Sequence, residues 1–594
     1  MTAIHYSVEA ADLHAHLFRV TLTIAQPASA QTVSLPVWIP GSYLVREFAK
    51  NLQNLIAKQG RRQMAMTQRD KCTWDIACKP GQPLVLSYEV YAFDHSVRTA
   101  WLDGQRGFFN GTSLCLRVHG QEAQPHQLQL NPVKGQADWQ AATGLTPIKT
   151  DKKGFGLYQA ADYDELVDCP VEMGTFWSGQ FVACGIPHRF VVAGALPSFD
   201  GSRLLADTQK ICEAEIRFWH GAGKQAGSKA PHKNYLFMLN AVHDGYGGLE
   251  HRNSTALICN RADLPRQTNQ HASQHTNEGY TTLLGLISHE YFHTWNVKQL
   301  RPDAFARYDY TQENHTQLLW FFEGFTSYYD DLLLRRAGLI DDATYLKLLG
   351  KTIAQVQQTP GRHVQTVAQA SFDAWVKYYR QDENTPNATV SYYTKGSLVA
   401  LCLDLALRKE GHTLDAVMRG LWKRCKAGPM REQDLLDELH ARTGRSWQPE
   451  IQTWVHSTAD LPLRDLLSGQ SIEVSAEIAT MAQRLGLRVS EAGGNVHIKG
   501  VLRGSAAEAA GMAAGDEWLG LDVGETPAAR AQGGSWRLNK LDDLPALLGR
   551  EHQLVALVSR DKRLLRLHLK VPAQASSWKL AMPAQRKAGQ WPAV

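Results

Sequence analysis

The sequence contains no CxxC pair, no run of eighteen or more uninterrupted apolar residues and no long block of lysines and arginines. Each absence removes a class of protein. The nine cysteines (Cys72, Cys78, Cys115, Cys169, Cys184, Cys212, Cys259, Cys402 and Cys425) are scattered and odd in number. They indicate neither a disulfide framework nor a cysteine-type zinc site, and reduced thiols in a cytoplasmic protein are expected. The first residues, MTAIHYSVEAADLHAHLFRV, lack a basic segment leading into an apolar core, so neither export nor membrane insertion is expected. A formal charge of +5 over 594 residues is small, which sets nucleic acid aside as a partner. No repeat array is visible.

What is present describes an ordinary globular protein, 44% hydrophobic and 20% charged, too long for one core. About three or four domains are expected, and the reading is a multidomain α+β protein. Residues 1–170 carry short alternating runs, such as Phe18, Val20, Leu22, Ile24 and Leu84, Leu86, Tyr88, Val90, broken at Pro40-Gly41, Pro80-Gly81 and Asn110-Gly111. That pattern predicts an all-β sandwich. Within it, the segment from Trp38 to Glu47 reads as a strand end packed against the next domain.

Residues 171–465 form the expected catalytic domain. Strand-like runs at Phe190–Val192 and Tyr235–Leu239 flank a helical stretch near 205–220, and from about 280 the pattern is mostly helical. Helices are predicted over 339–360, opened by Asp341 or Asp342, over 391–410 ending at Gly411, over 413–427, and over 431–443 stopped by Gly444. Alternation returns in 466–575, where Gly500 to Glu525 predicts a strand, a short Ala-rich helix capped by Ser505, and a Gly515-Asp516 turn into another strand. This unit resembles the core of a PDZ domain, and Leu485-Gly-Leu-Arg488 resembles that family's carboxylate-binding loop. The stretch Thr526–Asn539 departs from the compact form as an insert. The tail, 576–594, reads as loosely ordered from Gln574 onward.

The chemistry centres on residues 279–300, which place His289, Glu290 and His293 in the spacing HExxH. Leu283, Leu284, Ile287 and Tyr291 recur at helical intervals, Thr281 or Thr282 can cap the start, and Pro302 stops the run. Four residues apart on a helix, the two imidazoles share a face and can reach one metal ion. Glu290 lies one step round, beside the ion, where a carboxylate can take a proton from water.

A catalytic zinc site needs a third protein ligand. A metzincin would place a histidine six residues beyond His293, but Gln299 stands there. Glu323 and Glu313 compete for the role. Glu323 lies in the apolar run Leu318–Asp330, where an ionised carboxylate is costly unless a cation holds it. Glu313 lies in polar sequence and needs no such partner. Asp330 could orient a histidine ligand through its second ring nitrogen, or be an ordinary surface aspartate. Tyr392 and Tyr393 open a helix and offer hydroxyls to a developing oxyanion, or serve as core aromatics. Gly247-Gly248-Leu249-Glu250 reads as a sheet edge able to pair with an extended peptide. Glu250 there could meet a substrate's α-ammonium, or be solvated at a hairpin bend.

Together, His289-Glu-Tyr-Phe-His-Thr-Trp-Asn296, Glu323-Gly-Phe, Gly247-Gly-Leu-Glu250 and Tyr393-Thr-Lys-Gly396 resemble the gluzincin aminopeptidases. The order of β domain, thermolysin-like lobe and C-terminal PDZ-like domain is similar to the glycyl aminopeptidase family. So are Pro40-Gly-Ser-Tyr-Leu-Val-Arg46 and Pro170-Val-Glu-Met-Gly174. The resemblance implies one zinc ion per protein molecule on His289, His293 and Glu323, and Glu290 as general base. It also implies Tyr393 on the oxyanion and Glu250 near the substrate amine, beside Gly247 and Gly248. Two departures stand out. The interval from His293 to Glu323 is longer than in aminopeptidase N relatives, implying an extra loop over 299–313, and His251 replaces the asparagine that closes their GxMEN segment. The function implied is a zinc aminopeptidase releasing small N-terminal residues, glycine or alanine first. A PDZ-tethered endopeptidase, and a PDZ scaffold on an inactive lobe, are the alternatives. Expected partners are peptide substrates and, at the PDZ-like domain, the C-terminal end of a peptide or protein.

Overall fold

The computed structural model describes residues 4–223, 225–267, 277–523, 534–573, 576–582 and 591. The protein forms two compact units, one of Met1–His315, Tyr329–Ile340 and Met418–Asp434, the other of Thr316–Tyr328, Asp341–Val417 and Leu435–Val594. All nine cysteines are free. Among the described residues no helix is long and apolar enough to cross a membrane.

The first unit begins with the predicted alternation. Phe18, Val20, Leu22 and Ile24 are fully buried along Leu17–Ile24, which pairs antiparallel with Leu84–Tyr91 so that both apolar sets face one core. These strands belong to an eight-stranded sheet, accompanied by two four-stranded sheets. Tyr6, Tyr88 and Tyr163 donate their buried hydroxyls to the carbonyls of Leu116, Leu114 and Cys115, satisfying backbone where the short helix Gly111–Leu114 ends.

A second sheet in this unit has the order Trp177–Ala183, Ile186–Ala193, Tyr235–Val242, Ser254–Asn260, Gly247–Glu250. Its inner strands pair in parallel, as their continuous apolar sequence requires of strands covered on both faces. The glycine-rich strand lies at the edge, antiparallel to its neighbour.

The HExxH helix spans Glu278–Phe292, and two sequence expectations about its ends are corrected. Asn277, not Thr281 or Thr282, caps it by accepting from the Tyr280 N–H at 2.6 Å. It stops at His293, well before Pro302, because Thr294 and Trp295 turn back onto the carbonyls of Tyr291 and Phe292 and tighten the final turn. His293 keeps helical dihedrals, so its spacing to His289 holds.

In the second unit the predicted helices form. Asp341 caps Asp342–Gln357 by accepting from the Thr344 N–H, and Thr394–Lys409 leads to the left-handed Gly411. The C-terminal sheet runs Leu487–Ala492, Asn495–Val501, Glu517–Val523, Gln553–Arg560, Arg563–Lys570, with Ser505 capping Ala506–Ala509 as expected. The insert expected over 526–539 lies outside the described residues as far as 533; Ser535–Arg537 after it is a strand. The tail is not loose where it is described. Ser576–Ala581 pairs residue for residue with Glu473–Ile478, and Trp591 is buried against Tyr345 while donating to the Tyr328 hydroxyl.

Asn387, at the end of Thr385–Ala388, joins the C-terminal sheet by two backbone bonds, donating to the Val501 carbonyl at 2.9 Å and accepting from the Arg503 N–H at 2.8 Å. Asn387→Ala removes both and leaves backbone groups to find water. It should cost about 1–3 kcal/mol in urea unfolding and speed proteolysis near residue 503, and wild-type behaviour in both assays would refute the link.

Candidate metal centre

His289, His293 and Glu323 form a group that could hold a metal ion, with one donor atom from each lying within 4.8 Å of the others. The histidines come from the HExxH helix and Glu323 from the helix Leu319–Arg336. His293 and Glu323 are each only 2% exposed. Glu313, the rival acid, is exposed on the loop before that helix.

Hydrogen bonding at the imidazoles tests whether a cation fits. His293 Nδ1 lies 2.8 Å from the Asn296 carbonyl, which can only accept, so that nitrogen carries the proton. His289 Nδ1 lies 3.0 Å from Asp330 Oδ2. Each ring thus turns its Nε2 away from its orienting partner, and the two Nε2 atoms face each other at 3.1 Å. Two lone pairs at that distance repel unless a cation lies between or beside them. The donor set, two imidazoles and a carboxylate, is the kind that holds zinc with a position left open. Asp330 thus holds the His289 ring through its second nitrogen and is not an idle surface aspartate.

Glycines set the approach of three elements. A Cβ on Gly324 would lie 2.5 Å from Gly396 Cα, and one on Gly396 would lie 2.5 Å from the Trp320 carbonyl. The Glu323-Gly324 and Lys395-Gly396 turns can cross closely only because both lack side chains. Tyr393, at the start of its helix, is partly exposed while Tyr392 is fully buried. Burial, then the charge of Glu323, holds the Tyr393 hydroxyl well above its usual range, so it remains a donor. The third close approach is at the sheet edge, where a Cβ on Gly248 would lie 2.2 Å from Glu290 Oε1. Glu290 is itself 5% exposed, lying against the backbone of that strand.

Glu250, at the far end of the same strand, is 4% exposed and not solvated. Its carboxylate lies against Gly41, where an added Cβ would be 2.5 Å from both oxygens. The Pro40–Tyr43 segment is therefore packed on the strand end, as expected of the Trp38–Glu47 stretch. Tyr308, Asp309 and Tyr310 hold that segment: Trp38 Nε1 donates to the Asp309 carbonyl at 2.6 Å, and Val37 N to the Tyr310 carbonyl at 2.9 Å. These residues belong to the extra loop read over 299–313.

Sequence reasoning missed Asp168. It accepts from Lys298 Nζ at 2.7 Å and Arg252 Nε at 3.0 Å and bonds His251 Nδ1 at 3.1 Å. Burial pushes its carboxyl up, but Lys298, His251 and Arg252 together outweigh that and hold it well below the usual carboxylate range. Burial holds His251 below its usual value, against the pull of Asp168. The only local signal for Asp168 was its place just before Cys169-Pro170, and its partners lie 83 to 130 residues away.

The chain is similar to two known protein families and to several solved structures. The Peptidase M61 N-terminal domain family matches residues 5–175, and the M61 glycyl aminopeptidase family matches residues 282–399. The crystal structure of an aminopeptidase N family protein from Idiomarina loihiensis is 36% identical, covers 98% of both chains and superposes with a TM-score of 0.90. An M1 zinc metallopeptidase from Deinococcus radiodurans is 15% identical over 77% of this chain and 94% of that one, with a TM-score of 0.48. A mutant of that enzyme, also 15% identical with a TM-score of 0.46 and the same coverage, is bound to a Tyr-Ser-Ala substrate. No curated protein matches this one.

The close approach at Gly248 makes one substitution diagnostic. Gly248→Ala should push the Glu290 carboxylate aside and lower turnover by about two orders of magnitude, with the metal retained. Activity measured beside metal content checks this; unchanged turnover would mean that Glu290 has no need of its place on the strand.

Proposed function

This chain belongs to the M61 glycyl aminopeptidase family of zinc metallopeptidases, and from that we propose that it removes small N-terminal residues, glycine or alanine first, from peptides. The observation that carries the exopeptidase reading is Glu250, a buried carboxylate at one end of the glycine strand that runs past Glu290.

In this reading His289, His293 and Glu323 would hold one zinc ion per protein molecule, which would supply a Lewis acid for the scissile carbonyl and the attacking water. Glu290 takes the proton of the attacking water and returns it to the leaving amine. Tyr393 donates its hydroxyl to the carbonyl oxygen as charge builds there. The Gly247-Gly248 edge aligns the substrate backbone, which sets the scissile bond at a fixed distance from Glu250. Glu250 meets the α-ammonium, so cleavage is counted from the start of the substrate. The crowding at Gly41, where even a Cβ would clash with Glu250, supports a first residue with little side chain.

A second reading rests on the C-terminal sheet. Gly486 is left-handed just before the strand Leu487–Ala492, which ends the order of its sheet. That arrangement supports a PDZ-like module that takes a peptide's C-terminal end as an added strand, and so an endopeptidase tethered to its substrate. Nine free cysteines support a cytoplasmic location.

Two measurements test the chemistry common to both readings, and a third separates them. Glu290→Gln should keep its zinc and lose roughly three or more orders of magnitude in turnover. Near-normal rates with zinc bound would remove Glu290 as base. Glu323→Ala should lower zinc content in metal analysis of the purified protein. A free-amine peptide should be cleaved far faster than its N-acetylated form, and equal rates would end the aminopeptidase reading in favour of the endopeptidase.

A further inference from the structure

A cleft of about 440 Å3 lies in the second unit, lined by Arg362, Lys395, Asp460, Arg464 and Trp578 among others. Lys395 is on the first turn of the helix Thr394–Lys409, two residues after Tyr393. Residues two apart on a helix point in nearly opposite directions, so the cleft and the Tyr393 hydroxyl occupy different sides of that turn.

Lys395 is only 2% exposed, yet its ammonium has no hydrogen-bond or ion-pair partner among the described residues. The ammonium opens onto the cleft, where a group of opposite sign can answer it. Its neighbours do not. Asp460 is already engaged by Arg362 Nε at 3.0 Å and is mostly exposed. Arg362 also donates to the Thr359 carbonyl, and Arg464 stacks over the Trp578 ring at 4.9 Å while donating to the Val474 carbonyl. Both guanidiniums are thereby held in place with further N–H groups unused by these bonds. Burial holds Lys395 below the usual lysine range, with Asp460 acting against that and Arg362 reinforcing it. Counting Asp465, which also lines the cleft, three cations face two anions.

We propose that this cleft is a binding site for a small oxyanion, a carboxylate or a phosphate, received by Lys395 with Arg362 and Arg464. The anion supplies the acceptor that Lys395 lacks, and the two arginines that line the same cleft present further donors. The proposal is independent of the peptidase reading, since it needs neither the metal nor Glu250.

Isothermal titration of the full-length, zinc-loaded protein with inorganic phosphate, and separately with acetate, tests it. Saturable binding of at least one anion is expected, weakened at least about tenfold in Lys395→Met and in Arg464→Gln. Binding of acetate alone identifies a carboxylate ligand, and binding of phosphate alone identifies a phosphate ligand. Arg464 is exposed, so its variant carries the test if Lys395→Met fails to fold. No saturable binding of either anion overturns the proposal, as does binding of wild-type strength in Arg464→Gln or in folded Lys395→Met, which would place the anion elsewhere.

Discussion

Two imidazole nitrogens facing each other at 3.1 Å are the constraint on which the rest of this structure depends. Both rings have spent their Nδ1 positions, one on Asp330 and one on the Asn296 carbonyl, so neither can turn to relieve the opposition. Asp330 lies seven residues beyond Glu323 on one continuous helix, close to two turns, so the residue that orients a histidine and the acid that joins it share a helical face. One helix therefore carries both Glu323 and the partner of His289. The glycine contact between Gly324 and Gly396 then brings the helix carrying Tyr393 to the same acid.

The sheet edge at Glu250 obeys a different logic. Asp168 gathers Lys298, His251 and Arg252 in a place where an unpaired charge would be severely penalised, so its partners hold as a set. That set fixes the backbone on both sides of Glu250: the residues just after it, and the turn that follows the HExxH helix. Gly41 closes the remaining side. The His251 that replaces the asparagine of aminopeptidase N relatives is thus built into a buried charge cluster. The loop between His293 and Glu323 has an identifiable task as well, since Tyr308, Asp309 and Tyr310 grip the segment that carries Gly41.

Where sequence reading succeeded, the signal was local and periodic. Alternation at Phe18–Ile24 is a consequence of a pleat with one buried face, and the HExxH spacing is a consequence of helical rise. Asp341, Ser505 and Gly444 mark helix ends because caps act within a few residues of themselves. The errors had the same physical root. Thr281 looked like a cap and Pro302 like a stop, but Asn277 satisfies the first turn sooner, and the backbone turns at Thr294 through carbonyls that no composition reveals. The tail looked loose because Ser576–Ala581 is short and its partner strand lies about a hundred residues earlier. Trp591 was invisible for a similar reason, its pocket being made by Tyr328 and Tyr345.

By itself the sequence determined the identity of the chemistry: two histidines one helical turn apart, an acid beside them and a second acid in apolar surroundings, all of which follow from spacing and burial cost. Only the tertiary structure placed Glu323 rather than Glu313 beside the two histidines, gave Asp330 its histidine, buried Glu250 against Gly41 and gathered Lys298, Arg252 and His251 on Asp168. Those outcomes depend on segments tens to hundreds of residues apart meeting in space. Periodicity records which face of an element is buried, but it carries no information about which other element will cover it.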